Sequence, residues 1–88
     1  MKAIITVVGK DKAGIVAGVA TKIAELGLNI DDISQTVLDE FFIMMAVVSS
    51  DEKQDFAALR SEFEAFGQIL NVKINIQSAA IFDAMYNI

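Results

Sequence analysis

Histidine and cysteine are missing from this sequence, and arginine occurs once, at Arg60. Without an imidazole there is no Ser-His-Asp or Cys-His nucleophile system and no histidine-bound metal. Without a thiol there is no disulfide and no thiolate chemistry, so the cytoplasm is the expected compartment. Basic charge is scarce as well: 7 basic residues against 12 acidic ones leave a net charge of −5. Binding to nucleic acid rests on neutralising phosphates with Lys and Arg, so this balance argues against it. Long apolar runs are also lacking. The longest, Phe41 to Val48, is far too short to cross a bilayer, and no membrane association is expected. No secretory leader is evident, because Met1-Lys2 runs directly into a strand pattern. These absences remove much of enzymology, and neither a catalytic residue nor a metal or other cofactor is expected.

What remains is an apolar chain of 88 residues, 55% hydrophobic, enough for one small domain with a core. Ala3 to Val8 is apolar on both faces apart from Thr6, which predicts a central strand. From about Ala13 to Leu26 the period changes, with Ile15, Val16, Val19, Ala20, Ile23 and Leu26 forming a helical stripe. Gly27 stands where a left-handed closing residue belongs. Asn29 to Leu38 predicts a second strand, and Asp39-Glu40 a tight hairpin. The third strand, Phe41 to Ser49, does not alternate, so both of its faces are expected to be buried.

A second helix is predicted over about Gln54 to Leu70, with a narrow stripe of Phe56, Leu59, Phe63, Phe66 and Leu70. Asp51 and Glu52 suit the positive end of its dipole. Gly67 weakens its last turn by about 1 kcal/mol relative to alanine, and Asn71 can close it in the left-handed region. Val72 to Gln77 alternates cleanly, as a strand with one wet face or at an edge does. Ser78 can cap a short last helix, too short to stand alone, which must dock on its own sheet or on a partner.

The order β-α-β-β-α-β plus a terminal helix defines an α+β, ferredoxin-like βαββαβ sandwich. Right-handed crossovers put two helices on one face of a four-stranded antiparallel sheet. The expected organisation is a single domain over residues 1–88, with the βαββαβ unit at about 2–77 and the helix at about 79–87. The second face of the sheet carries one side of the Phe41–Val48 run. An exposed apolar face of that kind is an association surface, so a homodimer or higher homo-oligomer is expected.

The stretch Ile4 to Ile15 is the most informative for function. A β-branched run meets Gly9, a polar loop of Lys10, Asp11 and Lys12 follows, and a helix opens at Ala13-Gly14. Glycine permits positive φ or a close backbone approach. The start of a helix leaves unpaired N–H groups at the positive end of the dipole, so a small anion such as a carboxylate can sit there. The loop is not a P-loop: Gly9 and Gly14 have the spacing, but Ile15 and Val16 replace the Lys-Ser/Thr pair. Gly14 and Gly18, one turn apart, suggest a helix lying close to a sheet. The Asp31-Asp32 pair falls on adjacent strand positions, which point to opposite faces, so it reads as solvated carboxylates.

Asp11-Lys12-Ala13-Gly14-Ile15-Val16, followed by Leu26-Gly27-Leu28-Asn29-Ile30, resembles the ACT domain family of small regulatory modules that bind amino acids or related effectors. The whole chain fits the family's element order. It is most similar to the stand-alone bacterial ACT proteins related to the regulator of the glycine cleavage system. The resemblance implies a ligand at a dimer interface, held by the loop after the first strand and by the start of a partner's second strand. Carried onto this chain, the ligand-binding positions are Gly9, Lys10, Asp11, Ala13, Gly14, Asn29 and Ile30. Ala13 replaces the family's common proline, and Asp11 stands where amide-bearing members place asparagine. The expected function is therefore non-enzymatic: a dimerising regulatory domain that binds a small amino-acid-like effector between subunits. The alternative is a protein–protein assembly module with a regulatory protein as partner and no small-molecule ligand.

Overall fold

The structure, a computed structural model, describes residues 1–10 and 14–86. Its elements are β1 (Lys2–Gly9), α1 (Ile15–Glu25), β2 (Asn29–Leu38), β3 (Phe41–Ser49), α2 (Phe56–Leu70), β4 (Lys73–Ser78) and α3 (Ala79–Tyr86). The strands form one antiparallel sheet in the order β2-β3-β1-β4, as the ferredoxin-like reading expects. Both crossovers, β1 to β2 through α1 and β3 to β4 through α2, leave β1 and β3 central and β2 and β4 at the edges.

One face of the sheet is closed. Ala3, Ile5 and Val7 of β1, Phe42, Met44, Ala46 and Val48 of β3, and Ile74 and Ile76 of β4 are buried against the two helices. Ile15, Val19 and Ile23 of α1 and Leu59 and Phe63 of α2 meet them from the other side. The predicted stripes are thus the core-facing ones. Gly18 has a different neighbour from the one its spacing suggests: a Cβ there would lie 3.2 Å from Leu70 Cδ1 and 3.6 Å from Phe66 Cζ. The glycine lets α1 approach α2 rather than the sheet. Lys22 of α1 also reaches Glu62 of α2 at 2.8 Å and lies over the Phe66 ring. That carboxylate raises the ammonium pKa above its ordinary value.

The other face is only half closed. β3 alternates buried with partly exposed residues instead of burying both sides. The terminal helix α3 supplies the cover, packing on β1 and β4 of its own chain. Its Phe82 is half-buried, borders a hollow of about 230 Å³ with Ile4, Met45 and Val47, and so fills part of the open face. Ser78 accepts the Ile81 N–H at 3.2 Å and caps this helix, as predicted.

The turns follow local chemistry. Gly27 takes φ 77° after α1, with Leu28 N–H donating to Ile23 O at 3.1 Å. Asn71 takes φ 58° after α2, with Val72 N–H donating to Gly67 O at 2.8 Å. Asp39 adopts φ 56° in the β2–β3 hairpin. A register shift between Ile30 and Asp32 marks a bulge in β2, where Asp31 is the extra residue. Its carboxylate accepts the Ser49 hydroxyl at 3.0 Å.

Candidate functional site

β1 carries the candidate loop out of the sheet. Its strand runs through Gly9, which pairs with Phe42, one residue further than the β-branched run predicts. Gly9 does not use positive φ; it is needed for close approach, since a Cβ would lie 2.5 Å from Val72 Cγ1. Lys10 follows, exposed, with its ammonium 5.9 Å from the centre of the Phe41 ring. Asp11, Lys12 and Ala13 lie outside the described residues. The chain is described again at Gly14, which precedes α1 with φ 76° and ψ −9°. Apart from Gly14 itself and its immediate chain neighbours, no described atom lies within 4 Å of the position a Gly14 Cβ would occupy. Gly14 O accepts the Gly18 N–H at 2.9 Å, and no side chain among the described residues caps the start of the helix.

The sheet joins β1's exit to residues that the sequence reading did not connect with it. Because β4 runs antiparallel to β1, Lys73 pairs with Val8 and the α2–β4 turn lies beside Gly9. Gly9, Lys10, Phe41, Gln68, Asn71 and Lys73 border one open cavity of about 720 Å³. It offers two ammonium groups and two amides above an aromatic ring, a set suited to an anion with hydrogen-bonding groups. The signal for this neighbourhood was topological: a βαββαβ sheet places the start of the fourth strand next to the end of the first.

Asn29 and Ile30 are elsewhere. Asn29 pairs with Ser49, whereas Gly9 pairs with Phe42, seven positions away along β3. At about 3.4 Å per residue, the two halves of the predicted site are roughly 24 Å apart within one chain. Both Asn29 and Ile30 are exposed, at the start of an edge strand. A single chain therefore brings Gly9, Lys10 and Gly14 to one end of the sheet and leaves Asn29 and Ile30 at the other.

Among the described residues no group of three or more acidic side chains converges as a metal site would. Asp32 accepts the N–H of the adjacent Ile33 at 2.9 Å, and Asp31 is engaged by Ser49, so the pair is occupied locally. Nor is any described helix long and apolar enough to cross a membrane.

Comparison with known proteins agrees with the fold. The family model for the ACT domain matches residues 2–77. A UPF0237 protein of Streptococcus pneumoniae is 89% identical over 88 residues, covering all of both chains. A solved ACT domain protein from Streptococcus pneumoniae superposes with a TM-score of 0.91 at 88% identity, covering 98% of each chain. A solved putative glycine cleavage system transcriptional repressor shares the fold, with a TM-score of 0.79 at 19% identity over 86% of this chain and 45% of that one. The β1 exit with Gly14, the post-helix Gly27-Leu28-Asn29-Ile30 and the β2-β3-β1-β4 sheet thus have one common source: the chain belongs to the ACT domain family.

Proposed function

We propose that this protein is a regulatory, non-catalytic ACT domain whose working unit is a homodimer, with a small amino-acid-like effector held between subunits. The observation that carries the reading is the start of α1, where Gly14 in the left-handed region leaves the first-turn N–H groups without a side-chain cap among the described residues. Those groups, at the positive end of the helix dipole, suit the effector's carboxylate. Asp11 from the same loop, or Asn29 from the second subunit, takes the ammonium group.

The position of β2 supports a composite site. β2 runs parallel to β1 across the intervening β3, so its Leu38 end lies at the same end of the sheet as the Gly9 loop. A twofold axis pairing two β2 edges antiparallel would bring Asn29 of a second copy toward that end. β2 also has apolar side chains to cover: Ile33 and Val37 share the helix-facing side with Ala46 and Phe42, yet remain 38% and 60% exposed. Burial of such residues in a subunit interface is favourable at about 25 cal/mol per Å².

The test is a thermal-shift screen of the twenty amino acids and their close analogues on the purified protein, with sedimentation run in parallel. A ligand that binds only the native state raises its melting temperature. The reading expects a dimer at micromolar concentration and at least one amino acid that raises Tm in a dose-dependent way. A monomer across the concentration range, or no shift from any compound at millimolar concentration, would overturn it.

A further inference from the structure

A groove runs the length of β4, between the strand's outer edge and α2. Three connected hollows form it, of about 720, 610 and 400 Å³ from the Lys10 end to the Ile81 end. Neighbouring hollows share lining residues, Lys73 between the first two and Arg60 between the second two. Ala57, Arg60, Ser61, Glu64 and Gln68 make its helical wall, one face of α2 at three-and-four spacing. The opposite wall is the rim of β4, which ladders with β1 alone. A row of backbone N–H and C=O groups on its outer side is therefore open to another strand. β4 keeps an unbroken register over its whole length, so this edge is straight enough to act as a template.

The charge of the groove is opposite to that of the chain. Lys10, Arg60 and Lys73, three of the seven basic residues, line it, against one described acid, Glu64, of the twelve in the sequence. Neither Arg60 nor Lys73 has an ion-pair partner among the described residues, where the ion pair is Lys22 with Glu62. Lysine on an edge strand discourages pairing with neutral or basic strands and favours an acidic one. The other edge has the reverse character: β2 carries Asp31 and Asp32, no basic residue, and a bulge that breaks its ladder. Its regular stretch, Asp32 to Leu38, holds one charge, at its first residue, so β2 of a second copy sets at most one carboxylate against Arg60 and Lys73.

We propose that the β4–α2 groove is a docking site for an extended acidic segment of a partner protein, which adds to the sheet as a fifth strand. Main-chain hydrogen bonds to β4 supply the pairing, and carboxylates set against Arg60 and Lys73 supply the selection. One end of the groove, at Lys10, adjoins the effector loop, while the stretch from Arg60 to Ile81 is lined by α2, β4 and Ile81 of α3 alone; docking there does not depend on whether an effector binds.

The test uses the full chain and two labelled decapeptides, one alternating valine with glutamate and one alternating valine with lysine. Titration is followed by fluorescence anisotropy and by amide chemical shifts. The acidic peptide should bind, with shifts concentrated in residues 73–78 and along 57–68, and with affinity falling as salt rises. Arg60→Glu with Lys73→Glu should weaken it at least tenfold. Because both side chains are on the surface, a thermal melt of the double variant should match wild type, and Arg60→Gln should show an intermediate loss. Absence of binding at millimolar peptide, equal binding of the basic peptide, or shifts centred on residues 29–38 would overturn the proposal. Concentration-dependent broadening of residues 73–78 without peptide would overturn it as well, because the occupant would then be a second copy.

Discussion

The two long helices begin in opposite ways. α2 is capped by its own chain: Asp55, in an extended conformation, accepts the N–H groups of Ala57 and Ala58 at 3.0 and 3.4 Å. α1 begins after a glycine with φ 76°, which has no side chain to offer, and no described side chain replaces it. Neither helix has an acidic residue in its first turn, so the dipole of α2 is answered by Asp55 alone and that of α1 by nothing described. A start that is satisfied internally is a folding device. A start preceded by a glycine in a conformation that most side chains resist, with no described side chain as cap, is the feature on which the proposed effector site rests.

Substitutions at the two starts should therefore behave differently. Gly14→Val forces a β-branched residue into the left-handed region, which costs about 1–3 kcal/mol. In a domain this size that lowers Tm by roughly 4–8 °C per kcal/mol, and any effector affinity should fall with it. Gly14→Asn, which tolerates that conformation, should recover most of the stability. If valine and asparagine melt alike in calorimetry, the backbone argument fails.

The helix exits sharpen the contrast, because both close through a left-handed residue, Gly27 or Asn71. Gly67 near the second exit looks from its helix propensity like a place where alanine would stabilise by about 1 kcal/mol. A Cβ there would lie 2.7 Å from the Val72 carbonyl oxygen. Gly67→Ala should thus destabilise by about 1–3 kcal/mol despite the propensity gain, and urea denaturation gives the sign. Asp55→Ala removes the α2 cap and should cost about 1 kcal/mol. It should leave the affinity for any effector unchanged, which titration of the variant checks.

The smallest effect concerns the ion pair that ties the helices together. Glu62 raises the folded-state pKa of Lys22 above its ordinary 10.5, chiefly through their hydrogen bond. That contribution is fully present below 10.5 and fades as pH rises through the raised value. Melts between pH 10 and 12 should show wild type losing slightly more Tm than Glu62→Gln, since only wild type has the pair to lose. Parallel curves would assign it no role in stability.

Much of this molecule is legible from its sequence because local chemistry and global pattern agree. The stripes of α1 and α2, the Gly27 and Asn71 exits, the Ser78 cap and the two-residue hairpin all lie where residue type alone puts them. The failures are tertiary. Asp51 and Glu52 look suited to a helix start, but the chain turns into α2 only at Asp55, and capping depends on that one φ/ψ. Gly18 faces α2 and not the sheet, because its spacing gives a close approach without saying to what. The doubly apolar β3 points to a cover for its second face, and α3 from the same chain provides part of it. The site divides in the same manner. Gly9 and Gly14 follow from a strand–loop–helix pattern, while Gln68, Asn71 and Lys73 reach the loop through sheet order. Asn29, read with the loop through the family resemblance, sits at the opposite end of the sheet within one chain.

That separation makes a mixing experiment the most direct test of a composite site. Using an amino acid that raises Tm, Asp11→Ala and Asn29→Ala should each weaken binding in their own dimers by about 1–3 kcal/mol. When equal amounts of the two variants are unfolded and refolded together, a mixed dimer has one site with the loop of one subunit and Asn29 of the other both intact. Random assortment in a twofold dimer then predicts that roughly a quarter of all sites regain wild-type affinity, read as a tight phase in isothermal titration. A mixture that titrates as the plain sum of the two weak variants would contradict a site shared between subunits.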